Sequence, residues 1–115
     1  MLTESDTTNI EYASPKEAFD ALRKKPEVSF RQEESGWVTA YDKGASTVWS
    51  FSPKSAPSYP AVVKRTVEES HNEIRIRMGV LCGASKEVCD QLVREFTALN
   101  EKIKLDIKNK SEPKN

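Results

Sequence analysis

Apolar and polar positions change period along this chain, and the changes mark its elements. Between residues 14 and 25, Ala18, Phe19 and Leu22 recur at helical spacing. Ser14-Pro15-Lys16-Glu17 starts that helix: Ser14 caps, Pro15 suits the first helical position, and Glu17 completes a capping box. Arg23, Lys24 and Lys25 close the last turn and Pro26 stops it. From residue 27 the period is two. Val28 and Phe30 alternate with polar residues, then Trp37, Thr39 and Tyr41, then Thr47, Trp49 and Phe51. Lys43-Gly44-Ala45 fits a three-residue hairpin loop with Gly44 in the left-handed position. Pro53 to Pro60 holds three prolines and reads as an extended loop. Two longer strands follow, Ala61 to Glu68 and Glu73 to Leu81, around a turn at Glu69-Ser70-His71-Asn72. The helical period returns from Lys86 to about Lys104, with Val88, Cys89, Leu92, Val93, Phe96, Leu99 and Ile103 as its stripe.

The pattern predicts an α+β fold: a helix, a five-stranded antiparallel meander, and a C-terminal helix. Residues 14–104 form one domain, residues 1–13 a disordered or loosely docked leader, and residues 105–115 a disordered Lys-rich tail. Strand register then assigns faces. Pairing Phe30 with Trp37, Thr39 with Trp49, Val67 with Ile74 and Val63 with Met78 puts the large apolar side chains of all five strands on one face. Both helices are expected to pack on that face, since they are the available cover. Arg65 is the misfit there. The opposite face collects Val38, Ala40, Val48, Ser50 and Val62 with Lys64, Thr66, Arg75, Arg77 and Gly79.

Composition narrows the function classes. The 115 residues carry 18 Lys+Arg and 18 Asp+Glu, so no net field draws in nucleic acid or an anionic membrane. No apolar run approaches membrane-spanning length, and the start of the sequence is polar where the apolar part of a signal peptide would stand. The two cysteines, Cys82 and Cys89, sit at the corner between the last strand and the long helix. Their spacing is not the Cys-x-x-Cys of thiol oxidoreductases, and Cys89 lies on the apolar stripe. The pair is expected to be a structural disulfide worth about 2–3 kcal/mol; two buried thiols are the alternative. His71 stands alone in a turn, so it makes neither a metal site nor a triad. No phosphate loop or nucleophile elbow is present, and the carboxylates fall at turns and helix surfaces. No cofactor, metal or catalytic residue is predicted.

Three stretches carry a resemblance: Trp37-Val38-Thr39-Ala40-Tyr41-Asp42-Lys43, Thr47-Val48-Trp49-Ser50-Phe51-Ser52-Pro53, and Tyr59-Pro60-Ala61-Val62-Val63-Lys64-Arg65. Across about residues 14–104 the chain resembles a group of small exported, periplasmic or lipoprotein-like proteobacterial proteins of unknown function. The cysteine pair resembles theirs. The resemblance implies an extracytoplasmic location, periplasmic or secreted, and no activity; a cytoplasmic location is the alternative.

The leading functional expectation is a non-catalytic domain. It binds a protein partner or a small anionic ligand through the open sheet face and the proline loop, with Lys64, Thr66, Arg75, Arg77 and Tyr59 as the binding surface. The protein is expected to be a monomer or weak dimer. Two alternatives come from other classes. One is a small enzyme or enzyme subunit with Arg65, Tyr41 and Thr39 in a pocket between helices and sheet. The other is an assembly protein pairing through a strand edge.

Overall fold

The computed structural model describes residues 6–111. Its elements are α1 (Pro15–Arg23), β1 (Val28–Gln32), β2 (Val38–Asp42), β3 (Thr47–Phe51), β4 (Ala61–Ser70), β5 (Glu73–Cys82) and α2 (Lys86–Ser111). The strands form one antiparallel sheet in chain order, β1-β2-β3-β4-β5, so the predicted α+β meander between two helices is the fold.

The helix starts follow the sequence. Ser14 Oγ accepts from the Glu17 N–H at 3.1 Å, and the Glu17 carboxylate accepts from the Ala13 N–H at 3.2 Å. Ser85 Oγ likewise accepts from the Val88 N–H at 3.3 Å and opens α2. The end of α2 differs from expectation. The helix runs to Ser111 instead of giving way to a tail after Lys104. Nothing between Lys104 and Ser111 breaks it: Ile107 extends the stripe four residues past Ile103, and the first proline is Pro113. Residues 1–5 of the expected leader and 112–115 of the expected tail lie outside the described residues.

Register is where the structure departs most from the sequence pattern, and the turns explain it. The loop between β2 and β3 holds four residues. A 3-10 turn over Lys43–Ala45 is followed by Ser46, which takes the left-handed conformation (φ 50°) expected of Gly44. Asp42 therefore faces Thr47, and Ala40 rather than Thr39 faces Trp49. Between β1 and β2, the Glu33 N–H donates to the Trp37 carbonyl at 2.8 Å and Gly36 turns at φ 93°. That sets Gln32 against Val38 and Phe30 against Ala40, not against Trp37. Each odd-numbered slip in register moves a strand's side chains to the other face. The β4–β5 hairpin is tighter than expected. His71 and Asn72, both at positive φ, form a two-residue turn that pairs Ser70 with Glu73 and Val67 with Ile76. That slip is even, so the faces of β4 and β5 are the predicted ones.

The consequence is a sheet apolar on both faces, with one helix on each. The expectation that both helices share a face is overturned. One face joins Val28, Ala40, Trp49, Phe51 and Val62 to Ala18 and Leu22 of α1. Phe19 of α1 meets Phe30 and Phe51 edge-on, with ring centroids 5.4 and 5.1 Å away. The other face joins Ala61, Val63 and Met78 to Leu92 of α2, with Trp37, Val93 and Phe96 packed around them.

The N-terminal segment completes the first face. Thr7 bridges to Met78 in parallel fashion, and Ile10 and Tyr12 pack into the α1-side core. Tyr12 lies 5.7 Å from Trp49 between ring centroids. Residues 7–12 are thus part of the sheet's cover, where the composition predicts a leader that is disordered or loosely docked. The disulfide joins Cys82 at the end of β5 to Cys89 in the first turn of α2, with Cα atoms 5.8 Å apart. It holds the start of α2 at the sheet, as the spacing predicts.

Candidate functional site

Lys64, Thr66, Arg75 and Arg77 do share a face, because the β4–β5 slip preserved parity. That face is covered rather than open. Lys64 Nζ donates to the Asn9 carbonyl at 3.0 Å, pairs with Glu11 at 3.2 Å, and stands 5.1 Å from the centre of the Trp49 ring. Thr66 shares a hydrogen bond with Thr47 at 3.0 Å, and Arg77 pairs with Glu68. Arg75 faces Glu68 across the ladder and lines a polar hollow of about 430 Å³ with Glu73, Glu101 and Lys104. The nearby acids offset the basic cluster without an external anion. Val38, Ala40 and Val62 belong to the α1-side core, whereas Val48 and Ser50 stand on the other face. Tyr59, 43% exposed, lies in the proline loop.

The other face carries a groove. α2 lies over β4 and β5, and the loop after β3 rises beside it. Between them Trp37, Pro57, Leu92, Phe96 and Leu99 line a depression of about 630 Å³, with Gln91 and Glu95 on its helix side. Trp37 and Phe96 meet at 5.8 Å between ring centroids. Leu99, part of the same lining, is 40% exposed. The stripe of α2 is wide enough to serve two surfaces. Cys89 is bridged to β5, Leu92, Val93 and Phe96 pack on the sheet-side core, and Val88, Leu92, Phe96 and Leu99 line the groove.

Phe96 is also the support of Arg65. The guanidinium carbon lies 5.1 Å from the centre of that ring. One Nη donates to Ser50 Oγ at 3.5 Å, while Nε is buried without a protein acceptor. Among the described residues no carboxylate pairs with Arg65. Burial lowers this guanidinium from its usual value, with the neighbouring Tyr41 hydroxyl acting the other way. Asn100, buried in α2, donates to Met78 Sδ at 3.5 Å and leaves its Oδ1 without a partner. Met78 is the residue directly across from Arg65.

The other residues singled out for an enzyme pocket go elsewhere. Thr39 donates to the Glu33 carboxylate at 3.4 Å, and Tyr41 lines a separate hollow with Val48 and Val67. The groove lining includes none of Arg65, Tyr41 and Thr39. Sequence reasoning missed the groove because it assigned Val88, Leu92 and Leu99 to a single buried stripe. No signal in the sequence separates the groove from the core, because Leu92 and Phe96 belong to both. Among the described residues, no group of His, Cys, Asp and Glu is arranged to hold a metal ion. Among the described residues no helix is long and apolar enough to cross a membrane. Comparison with known proteins gives no match to a family model, to a curated protein or to a solved structure.

Proposed function

We propose that the protein is a non-catalytic binding module whose ligand occupies the groove between α2 and the proline loop. The observation that carries this reading is the groove itself: an aromatic and aliphatic depression of about 630 Å³, rimmed by few polar groups. Its volume falls within the roughly 300–1,000 Å³ typical of small-molecule sites. The reading moves the binding surface from the basic face to the α2 face, because Lys64 and Arg77 already have internal partners. A neutral solvatochromic dye such as Nile red tests it. Saturable binding to the wild type is expected, with strong loss in Ala56→Trp, which fills the groove, and in Leu99→Glu, which charges its wall. Absent binding, or binding indifferent to both substitutions, refutes the groove.

We also propose an oxidising, extracytoplasmic compartment, in keeping with the exported proteins that the chain resembles. The Cys82–Cys89 bridge supports it, since such bridges persist where thiols are not kept reduced. Protein taken from its own cells and labelled without reductant should show no free thiol at either cysteine. Stoichiometric labelling of both would reject the assignment.

A further inference from the structure

We infer that Arg65 is the recognition group for a carboxylate on the groove's ligand, a small amphiphile with one acid head and an apolar body. The inference rests on the groove reading above and names the ligand's chemistry.

Arg65 is unusual among the chain's cations. Lys16, Arg31, Lys64, Arg77, Lys86 and Lys104 each have a carboxylate partner. Arg65 is half-buried, with its Nε fully enclosed, yet it has a ring face and one serine hydroxyl instead. A buried charge without a counter-charge costs stability, so proteins seldom keep one unless it is used. Guanidinium is suited to that use. It stays charged when partly desolvated, and its planar fork matches the two oxygens of a carboxylate. Ser50 Oγ, already bonded to an Nη, supplies a hydroxyl at the same place.

Position ties the charge to the groove. Phe96 is common to both: it lines the groove and carries Arg65 on its ring. An apolar body lying along Leu92, Phe96 and Leu99 therefore rests against the ring that carries Arg65, a cation with no carboxylate partner among the described residues. The groove is also poor in competing charge, Glu95 being the one ionisable group in its lining. A carboxylate on the ligand must keep away from Glu95, which orients the head toward Arg65 and the apolar chain toward the proline loop. Commitment to a small amphiphile follows from scale. The groove has the volume of a small-molecule pocket, whereas a standard protein interface covers about 800 Å² of each partner.

The test compares dodecanoate with dodecanol, which shares the chain and lacks the charge, on wild type, Arg65→Met and Arg65→Lys. Binding is followed by displacement of Nile red and by the Nε–H resonance of Arg65. Dodecanoate is expected to bind the wild type more tightly than dodecanol by about tenfold or more, the factor for one charge-assisted pair. Arg65→Met should abolish that preference while leaving dodecanol unchanged, and Arg65→Lys should restore part of it. Circular dichroism and thermal unfolding establish that the variants are folded. If dye and dodecanol bind but dodecanoate gains nothing over dodecanol, the Arg65 assignment fails and the groove stands. If dodecanoate shifts the Arg65 resonance but the dye does not bind, the groove reading fails and the anion site stands. If neither lipid nor dye binds, both fall.

Discussion

At the scale of single residues, Gly79 decides how the N-terminal segment lies. A Cβ built at this position would come within 2.6 Å of the Thr8 carbonyl oxygen and 3.1 Å of Ile10 Cγ1. The backbone of residues 7–10 can cross the sheet here because no side chain stands in the way. Gly79→Ala carries opposite expectations on two grounds. In an open strand the change removes the entropy cost of glycine and stabilises by roughly 0.5–1 kcal/mol. Against a crossing backbone it overpacks and costs about 1–3 kcal/mol. We expect the second: a lower midpoint of thermal unfolding, and faster trypsin cleavage at Lys16 as the segment lifts. An unchanged or raised midpoint would show that residues 7–10 do not cross at Gly79. The glycine was visible in the sequence, in the middle of an otherwise regular strand, and such a glycine marks a close backbone approach. What crosses there was not visible, because Ile10 and Tyr12 are too few and too close together to show a period. Arg65 was legible in a similar, incomplete way. Alternation marks it as the one charge among apolar neighbours, but the ring beneath it belongs to α2, 31 positions along the chain.

At the scale of elements, the sequence shows type and order well and sidedness poorly. The reason is arithmetic in the turns. Caps and periods identify α1, the strands and the start of α2 locally, since each signal lies within a few residues of what it specifies. A strand's face depends instead on loop length, and one residue reverses it. Lys43-Gly44-Ala45 looks like a complete three-residue loop because glycine tolerates the left-handed conformation. Ser46 takes that conformation instead, its N–H donating to the Lys43 carbonyl at 3.2 Å. Thr47, next in the chain, secures the turn through a 2.8 Å hydrogen bond to the Ala45 carbonyl. That single added residue separates Trp49 and Phe51 from Trp37 and Tyr41. One aromatic pair then forms the core under α1, and Trp37 of the other is left beside Phe96 in the groove. The candidate groove is therefore a product of the turn, which explains why alternation alone did not reveal it. The disulfide belongs to the same account. A bridge closing a loop this short contributes on the order of 2–3 kcal/mol, and it fixes the first turn of α2 to β5 while the helix's other flank remains available to the groove.

At the scale of the whole molecule, the chain covers one face with α1 and its own N-terminal segment, and leaves the proposed groove on the other. The α1 face is closed by a segment whose attachment is electrostatic as well as apolar, so its closure is pH-dependent. Burial alone would raise the Glu11 carboxyl. Its backbone hydrogen bond, with the hydrogen bond and charge of Lys64 and the charge of Lys25, outweighs that and holds Glu11 below the ordinary carboxylate value. Because the folded value is depressed, the attachment is stabilised in full above the ordinary glutamate value, about 4.3. That stabilisation is lost as pH falls through the folded value. The carboxyl is largely exposed, so solvent screens the pair, and the expected effect is local release of residues 7–12 rather than unfolding of the sheet. Following the Glu11 side-chain carbonyl by NMR should give a midpoint below that of a free glutamate. The Ile10 methyl and Tyr12 ring resonances should shift with the same midpoint. In Lys64→Gln the midpoint should rise toward the ordinary value, and the Ile10 and Tyr12 signals should leave their docked positions at higher pH. A wild-type midpoint at or above the free value would mean that Lys64 does not hold the segment. Lys64 would then be available on the surface, and a basic binding face would again be a tenable reading. The titration therefore bears on function as well as stability: it asks which face of the sheet is spoken for by the chain itself, and which is left for a ligand.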